Sequence, residues 1–331
     1  MKSEKCRKKS EMLREVLRER SREGLELARR TMLMEEIGSE KIWQALKYYV
    51  SDWENFTYPA LFSIACEAVG GNPKKAVDIQ TGIALLIGAL DIHDDIIDKS
   101  KVKRGKLTVF GKFGQEIALF LGNAFLINGF TLLSNSVANL PAKKAGEVVE
   151  TIKKSMFEVG TAHTLELDIR GRIDVTPKEY MRILKMKAAS AGASMRLGAV
   201  IGGGRDHEVK VLTRYGRILG LLATLRDEFI DIFEPQELSQ RLRNECLPIP
   251  IFYALQGENS GRIKKILAKK RITNKDAYEL VDIVLESKEV KVLKKKMVLN
   301  IKNACILTSE IRNRDIKDLL AQLATSALED L

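Results

Sequence analysis

Two short runs carry carboxylates at the same offsets. In "DDIID", Asp94, Asp95 and Asp98 stand at i, i+1 and i+4; in "DEFID", Asp227, Glu228 and Asp231 repeat that spacing. On a helix the first and third members of each run stack one turn apart, with the second beside them. Like charges so placed weaken a helix unless water screens them or a cation neutralises them. One such run, in a chain that is 30% charged, reads as a solvated acidic face. Two runs within long apolar helices are costly in that role, so metal binding is the better reading. Hard divalent cations such as Mg²⁺ take oxygen ligands and share one or two carboxylates with substrate phosphates. If the two runs face each other across a bundle, they would cage several Mg²⁺ ions and a diphosphate. Such a cage could draw diphosphate off a substrate carbon by stabilising the leaving oxygens. Lys103, Arg104 and Lys187 are the cations expected to complete the anion site.

The elements that must position these groups are helical. Apolar residues recur at helical spacing almost throughout, and the 331 residues include only 7 Pro. The spacing predicts helices over 11–34, 39–51, 58–69, 73–97, 114–138, 142–170, 177–201 and 206–233, with further helices to the end. "DVTP" starts the helix at Pro177, and "GGGR" ends it with the glycine that a helix C-terminus favours. No strand alternation persists, no repeat of solenoid length is present, and no Gly, Ser or Pro linker divides the chain. The expectation is one all-α domain, 1–331, a helical bundle with its site in a central cavity between facing helices.

Composition removes other classes. The net charge of +11 is spread among acidic residues without interleaved aromatics, which argues against nucleic acid as a partner. The four cysteines form no close pair and there are three His, so neither a disulfide frame nor a zinc cluster is indicated. The charged start carries no apolar signal region. The most apolar stretch, "IALFLGNAFLINGFTLL", is short for a membrane span and is interrupted by Asn123 and Asn128. A cytoplasmic protein without a transmembrane segment is expected.

The residues also carry a resemblance. "DDIIDKSKVKRGKLTVFGKFGQEIALFLGN" and "GLLATLRDEFID" resemble the two Asp-rich motifs of the trans-isoprenyl diphosphate synthases, in order and in spacing. The first is similar to that family's DDxxD followed after four residues by Arg-Arg-Gly. The likeness runs from about Tyr58 to Leu255. It implies the all-α isoprenoid-synthase fold, Mg²⁺ dependence, ionisation of an allylic prenyl diphosphate and a homodimer. By the same resemblance Asp94, Asp95 and Lys187 serve catalysis, Lys103 and Arg104 bind diphosphate, and all six motif carboxylates bind metal. Ala89 stands where the family uses a bulky aromatic as a floor for the growing chain. With Leu86 and Gly82 deeper along the helix, an allylic chain of C15 or longer is expected.

The departures concentrate at one place. Where the family reads Gly-Gly-Lys-x-x-Arg-Pro, this chain reads "WENFTYP", so Asn55 replaces the Lys and Tyr58 the Arg. Ile87 replaces a His or Gln. With Arg104, these positions bind the acceptor, isopentenyl diphosphate, in the family. Losing two cations from one phosphate pocket removes several charge-assisted bonds, each worth roughly 1.5–3 kcal/mol. His163, Glu166, Thr224 and Asn244 are further changes, the last at the Lys of a later Gly-Lys pair. Asp91, normally apolar, reads first as an ion-pair partner of a neighbouring Lys or Arg. Its second reading is a base or stabiliser near an allylic cation. Prenyl transfer to isopentenyl diphosphate therefore competes with a terpene-synthase-like reaction or another acceptor. A non-catalytic partner subunit ranks last, because such subunits usually lose the first motif.

Overall fold

The structure, a computed structural model, describes residues 4–103, 105–233, 238, 241, 245–269 and 272–328. It divides into two compact units. Unit 1 comprises Ser3–Ile152 and Ala193–Thr213; unit 2 comprises Lys153–Gly192 and Arg214–Leu331.

Unit 1 begins with α1 (Glu4–Leu33), which starts earlier than the apolar period predicts because its Lys-, Arg- and Glu-rich first turns are good helix formers. It continues with α2 (Glu40–Ser51), α3 (Thr57–Ala68), a 3₁₀ turn at Pro73–Ala76, and α4 (Val77–Ile97). A hairpin, β1 (Val102–Lys103) with β2 (Lys106–Leu107), leads to α5 (Val109–Phe113) and α6 (Gln115–Val137). Alternation cannot reveal strands of two residues, so the hairpin was not expected from the sequence. Gly105, at φ +76°, allows the tight reversal.

The core of unit 1 is the packing of α4 on α6. On α6 the buried stripe is Ala118, Leu121, Gly122, Phe125, Gly129 and Leu133, the spacing of one helix face. Two glycines let the helices close in. A Cβ on Gly82 would lie 2.4 Å from Leu133 Cγ, and one on Gly129 would lie 2.9 Å from Leu86 Cδ2. The opposite face of α6 exposes Leu119, Phe120, Ile127 and Phe130. At 23 residues, α6 is long and apolar enough to cross a membrane, unlike the shorter run read from the sequence; the segment Pro73–Ile97 passes the same measure but is 72% buried.

Helix α7 (Ala142–Ile169) and helix α10 (Asp206–Phe233) each supply residues to both units, as does α9 (Ala189–Ile201). Unit 2 adds α8 (Pro177–Lys187), α11 (Ile249–Ala254), α12 (Ser260–Leu267), α13 (Asn274–Glu286), α14 (Lys288–Thr308) and α15 (Arg314–Ser326). Thr176 and Glu179 form a capping box at the start of α8, with Pro177 in the first turn. The helix predicted over 177–201 breaks at Ala188, where the backbone tightens to ψ −1°. The core of unit 2 gathers Tyr180, Leu184, Leu222, Phe229 and Phe252. Tyr180 and Phe252 meet edge to face with ring centres 5.3 Å apart.

Candidate active site

In unit 1 the first carboxylate run lies at the C-terminal end of α4. Lys99 adopts a left-handed conformation (φ 55°) and turns the chain back. Ser100 N–H donates to Asp95 O (2.9 Å), and Thr108 Oγ1 donates to Ser100 O (2.7 Å). These bonds fold the hairpin against the helix end and bring Lys103 to the carboxylates. Lys103 Nζ is 2.6 Å from Asp95 Oδ1 and 3.4 Å from Asp94 Oδ2. Burial pushes the Asp95 carboxyl up to about 6; Lys103 opposes that shift, while Asp94 and Asp91 add to it. Partial desolvation works against the Lys103 ammonium, but Asp94 and Asp95 outweigh it and raise its pKa. Asp98 is the C-cap residue of α4, and its N–H donates to Asp94 O (2.9 Å). Arg104 lies outside the described residues, as does Asn244.

Beside this cluster unit 1 holds a cavity of about 480 Å³. Arg29, Lys103 and Lys106 line it as cations, with Asp52, Glu54, Asp91 and Asp95 as carboxylates. Asn55 lines it as expected, whereas Tyr58 and Ile87 are not among its lining residues. Asn55 Nδ2 donates to Asp91 Oδ2, and the Lys103 ammonium interacts electrostatically with the same carboxylate. Arg29 was not legible as a site residue; α1 carries many similar cations and nothing in their spacing marks this one. Ala89 is fully buried in the apolar cluster that includes Trp53 and Phe125. Within unit 1 Leu133 occupies the space above Gly82, and Leu86 packs over Gly129 of α6.

In unit 2 the second run meets a different environment. Asp227 is exposed (70%), with Arg226 Nη1 3.7 Å away. Glu228 points inward and is 4% exposed. Its Oε1 accepts from Arg241 Nη2 (2.7 Å), and its Oε2 accepts from Ile249 N–H (2.7 Å). Arg241 Nη1 also holds Asp231 Oδ2 at 2.7 Å, while its Nε donates to Cys246 O (3.1 Å). The Tyr180 hydroxyl accepts from Arg241 Nη2 (3.1 Å) and lies within donating distance of Glu166 and Glu228. Burial raises the Glu228 pKa, and Arg241 and the Ile249 N–H work against that rise. Lys187 Nζ sits 2.5 Å from Glu166 Oε2, with His163 Nδ1 4.0 Å from that oxygen. The Thr224 hydroxyl turns back to Gly220 O (3.0 Å). Arg241 escaped the sequence reading because it lies in "ELSQRLRNEC", a run with no motif to single it out.

Among the described residues, no three His, Cys, Asp or Glu side chains converge into a closed metal site. The donor chemistry of unit 1 nevertheless suits a hard cation. Asp94 and Asp95 offer carboxylate oxygens at one helix end, and Asp95 bears a charge that burial disfavours. One or two such carboxylates are enough for an ion that takes its other ligands from phosphate and water.

The helical architecture is that of the all-α isoprenoid-synthase fold. The structure matches a geranylgeranyl pyrophosphate synthetase of Pyrococcus horikoshii with a TM-score of 0.86 at 23% identity, covering 98% of this chain and 100% of that one. A polyprenyl synthase of Caulobacter crescentus, solved with calcium and isoprenyl diphosphate, matches with a TM-score of 0.82 at 17% identity, covering 95% of this chain and 97% of that one. The chain belongs to the polyprenyl synthetase family, whose match spans residues 39–284. A geranylgeranyl diphosphate synthase of Methanosarcina mazei is 28% identical over 209 residues, which are 63% of this chain and 64% of that protein. The aligned stretch is thus slightly under two thirds of that relative's length.

Proposed function

We propose that this chain is a Mg²⁺-dependent prenyltransferase that ionises an allylic prenyl diphosphate of C15 or longer. The carrying observation is the Asp94–Asp95 pair, held against burial by the Lys103 ammonium of the hairpin. Family membership and the geranylgeranyl synthases among the relatives support the reaction class and chain length. The calcium and isoprenyl diphosphate of the Caulobacter protein support a divalent cation. When bound, Mg²⁺ supplies positive charge to the leaving diphosphate oxygens. Asp94 and Asp95 would hold it in unit 1, with Asp98 as a further proposed ligand there; Asp227 and Asp231 are proposed as metal ligands of unit 2. Lys103 carries its charge beside these carboxylates and is proposed to contact the diphosphate. Lys187 is proposed to do the same by exchanging Glu166 for a phosphate oxygen. Glu228 leaves this ligand set, because both its oxygens are engaged inside unit 2.

A second reading, an acceptor other than isopentenyl diphosphate, is favoured by the carboxylate-rich cavity around Asn55. The test is mass analysis of products from C10, C15 and C20 allylic diphosphates with Mg²⁺, with and without isopentenyl diphosphate. Elongated products support the first reading, and alcohols or cyclised products support the second. No release of diphosphate from any substrate ends both.

We also propose a homodimer built on the exposed apolar face of α6, since Leu119, Phe120, Ile127 and Phe130 present a continuous surface with no cover in unit 1. Light scattering should give twice the chain mass, and Ile127→Glu with Phe120→Glu should give the monomer.

A further inference from the structure

Helix α14 of unit 2 keeps acidic groups out of one long stretch. From Val290 to Ser309 no position is Asp or Glu, while Lys291, Lys294, Lys295, Lys296 and Lys302 fall inside it. One side of the helix belongs to the core, with Val290, Leu293, Met297, Ala304 and Leu307 buried. On the opposite side Val292, Leu299 and Ile306 stand seven residues apart, close to two helical turns, and so form one stripe. They are 47%, 56% and 64% exposed. Lys291, Lys295 and Lys302 run beside the stripe and are exposed too. Other cations of the helix are engaged within unit 2. Lys288 Nζ lies 3.1 Å from Glu258 Oε1, Lys294 sits over the Phe229 ring, and Lys296 donates to the Tyr253 hydroxyl (3.2 Å). Lys291, Lys295 and Lys302 have no ion-pair partner among the described residues. We infer that this face of α14 docks on an anionic lipid surface. The apolar stripe enters the headgroup boundary, and the three lysines meet the negative charge of the lipids.

Charge and side-chain type select that occupant. A second copy of the chain, placed stripe to stripe, would set lysine against lysine, and like charges so close repel. A protein partner with fixed carboxylates is better held by arginine, whose planar fork pairs with them bidentately. Every cation of α14 is a lysine. Lysine is a point charge on a flexible stem, which suits headgroups that move. Its methylenes extend the apolar surface while the ammonium stays in water. The other side of α14 is held in the core of unit 2, so the helix lies on a bilayer rather than crossing it.

The test is flotation of the full-length, metal-free protein with vesicles of phosphatidylcholine alone, and of phosphatidylcholine mixed with phosphatidylserine. Omitting metal keeps a divalent ion from bridging the acidic motifs to headgroups. The wild type should float with the mixed vesicles and not with the neutral ones. Raising salt from about 0.1 to about 0.5 M should release it, because screening shortens the reach of the lysines. Lys291→Gln, Lys295→Gln and Lys302→Gln together should weaken binding roughly a hundredfold, each lysine near an anionic bilayer being worth about a factor of five. Leu299→Ser with Ile306→Ser should weaken it about tenfold or more with the charge unchanged. These positions are exposed, so both variants should keep the unfolding midpoint of the wild type. Leu299→Trp supplies a second readout. Its added fluorescence should shift to the blue on mixed vesicles only, which requires the stripe itself to leave water. Absence of flotation, equal flotation with neutral vesicles, or binding that both multiple variants leave unchanged overturns the inference. Tight binding of poly-glutamate without flotation overturns it in favour of an acidic protein partner. Vesicle binding uses neither metal nor prenyl substrate, so a failure of the proposed function is seen separately, in the product assay.

Discussion

In units 1 and 2 the same carboxylate spacing meets two different counter-ions. At the end of α4 the neutralising group is Lys103, a half-exposed ammonium on a two-residue strand, against Asp94 and Asp95, the second of which lines a cavity. In α10 it is Arg241, buried, which grips Glu228 and Asp231 together and is itself tied to Cys246 O and Tyr180. A lysine on a hairpin can exchange partners at little cost, since solvent screens it and one point contact holds it. A buried guanidinium with several fixed bonds cannot, because removing any partner leaves a charge without solvent. Equal spacing therefore does not confer equal availability. One run is poised for a ligand, and the other is partly consumed in holding unit 2 together.

The largest effect should follow from breaking the buried clamp. Arg241→Ala leaves Glu228 buried without its counter-ion and should cost about 3–5 kcal/mol in urea unfolding. A loss below about 1 kcal/mol would show that the clamp is dispensable and would erase the contrast between the units. Next, Asp94→Ala should lower Mg²⁺-dependent diphosphate release by about 10²–10³-fold, the range for removing one group that stabilises a developing charge. Glu228→Gln should lower it by less than about tenfold among molecules that remain folded, since its oxygens face inward. Equal losses in the two variants would return Glu228 to the metal set.

A pH scan sharpens the unit 1 side. The Asp95 carboxyl is raised from 3.8 to about 6 in the fold, so the folded protein keeps a proton that the unfolded chain releases. The metal-free protein should then lose stability as pH rises from about 4 to about 6, by at most about 3 kcal/mol, and change little on either side of that window. Asp95→Asn should flatten this slope; an unchanged slope would assign it to other groups. The smallest effect is expected from Lys103→Met. With 48% of its side chain exposed, it should cost less than about 1 kcal/mol of stability. A larger loss would mean that the hairpin is clamped as rigidly as Arg241.

Much of this molecule was legible from residue order. Helix α8 announces itself through "VTPKE", in which Thr176 and Glu179 cap each other and Pro177 enters without losing a bond. The helix α6 was visible as an apolar segment, but the stripe that α4 buries was not, because its exposed face carries Leu119, Phe120, Ile127 and Phe130. Both carboxylate runs and their place on helices were visible too, because a helix converts spacing into adjacency. The groups that came from a distance were not. Arg29 stands among many cations of α1, Arg241 lies in an irregular run, and the bond from Asn55 to Asp91 joins segments 36 residues apart.

By itself, then, the sequence determined what depends on local order: helical class, the positions of the acidic runs, and the loss of cations at positions 55 and 58. Tertiary structure alone decided which charge answers each carboxylate. It set Lys103 against Asp94 and Asp95, Arg241 against Glu228 and Asp231, and Asn55 against Asp91. Helix periodicity acts within a few residues and is written in the chain. Charge pairing acts through space, and its strength depends on burial, which exists only once distant segments have packed.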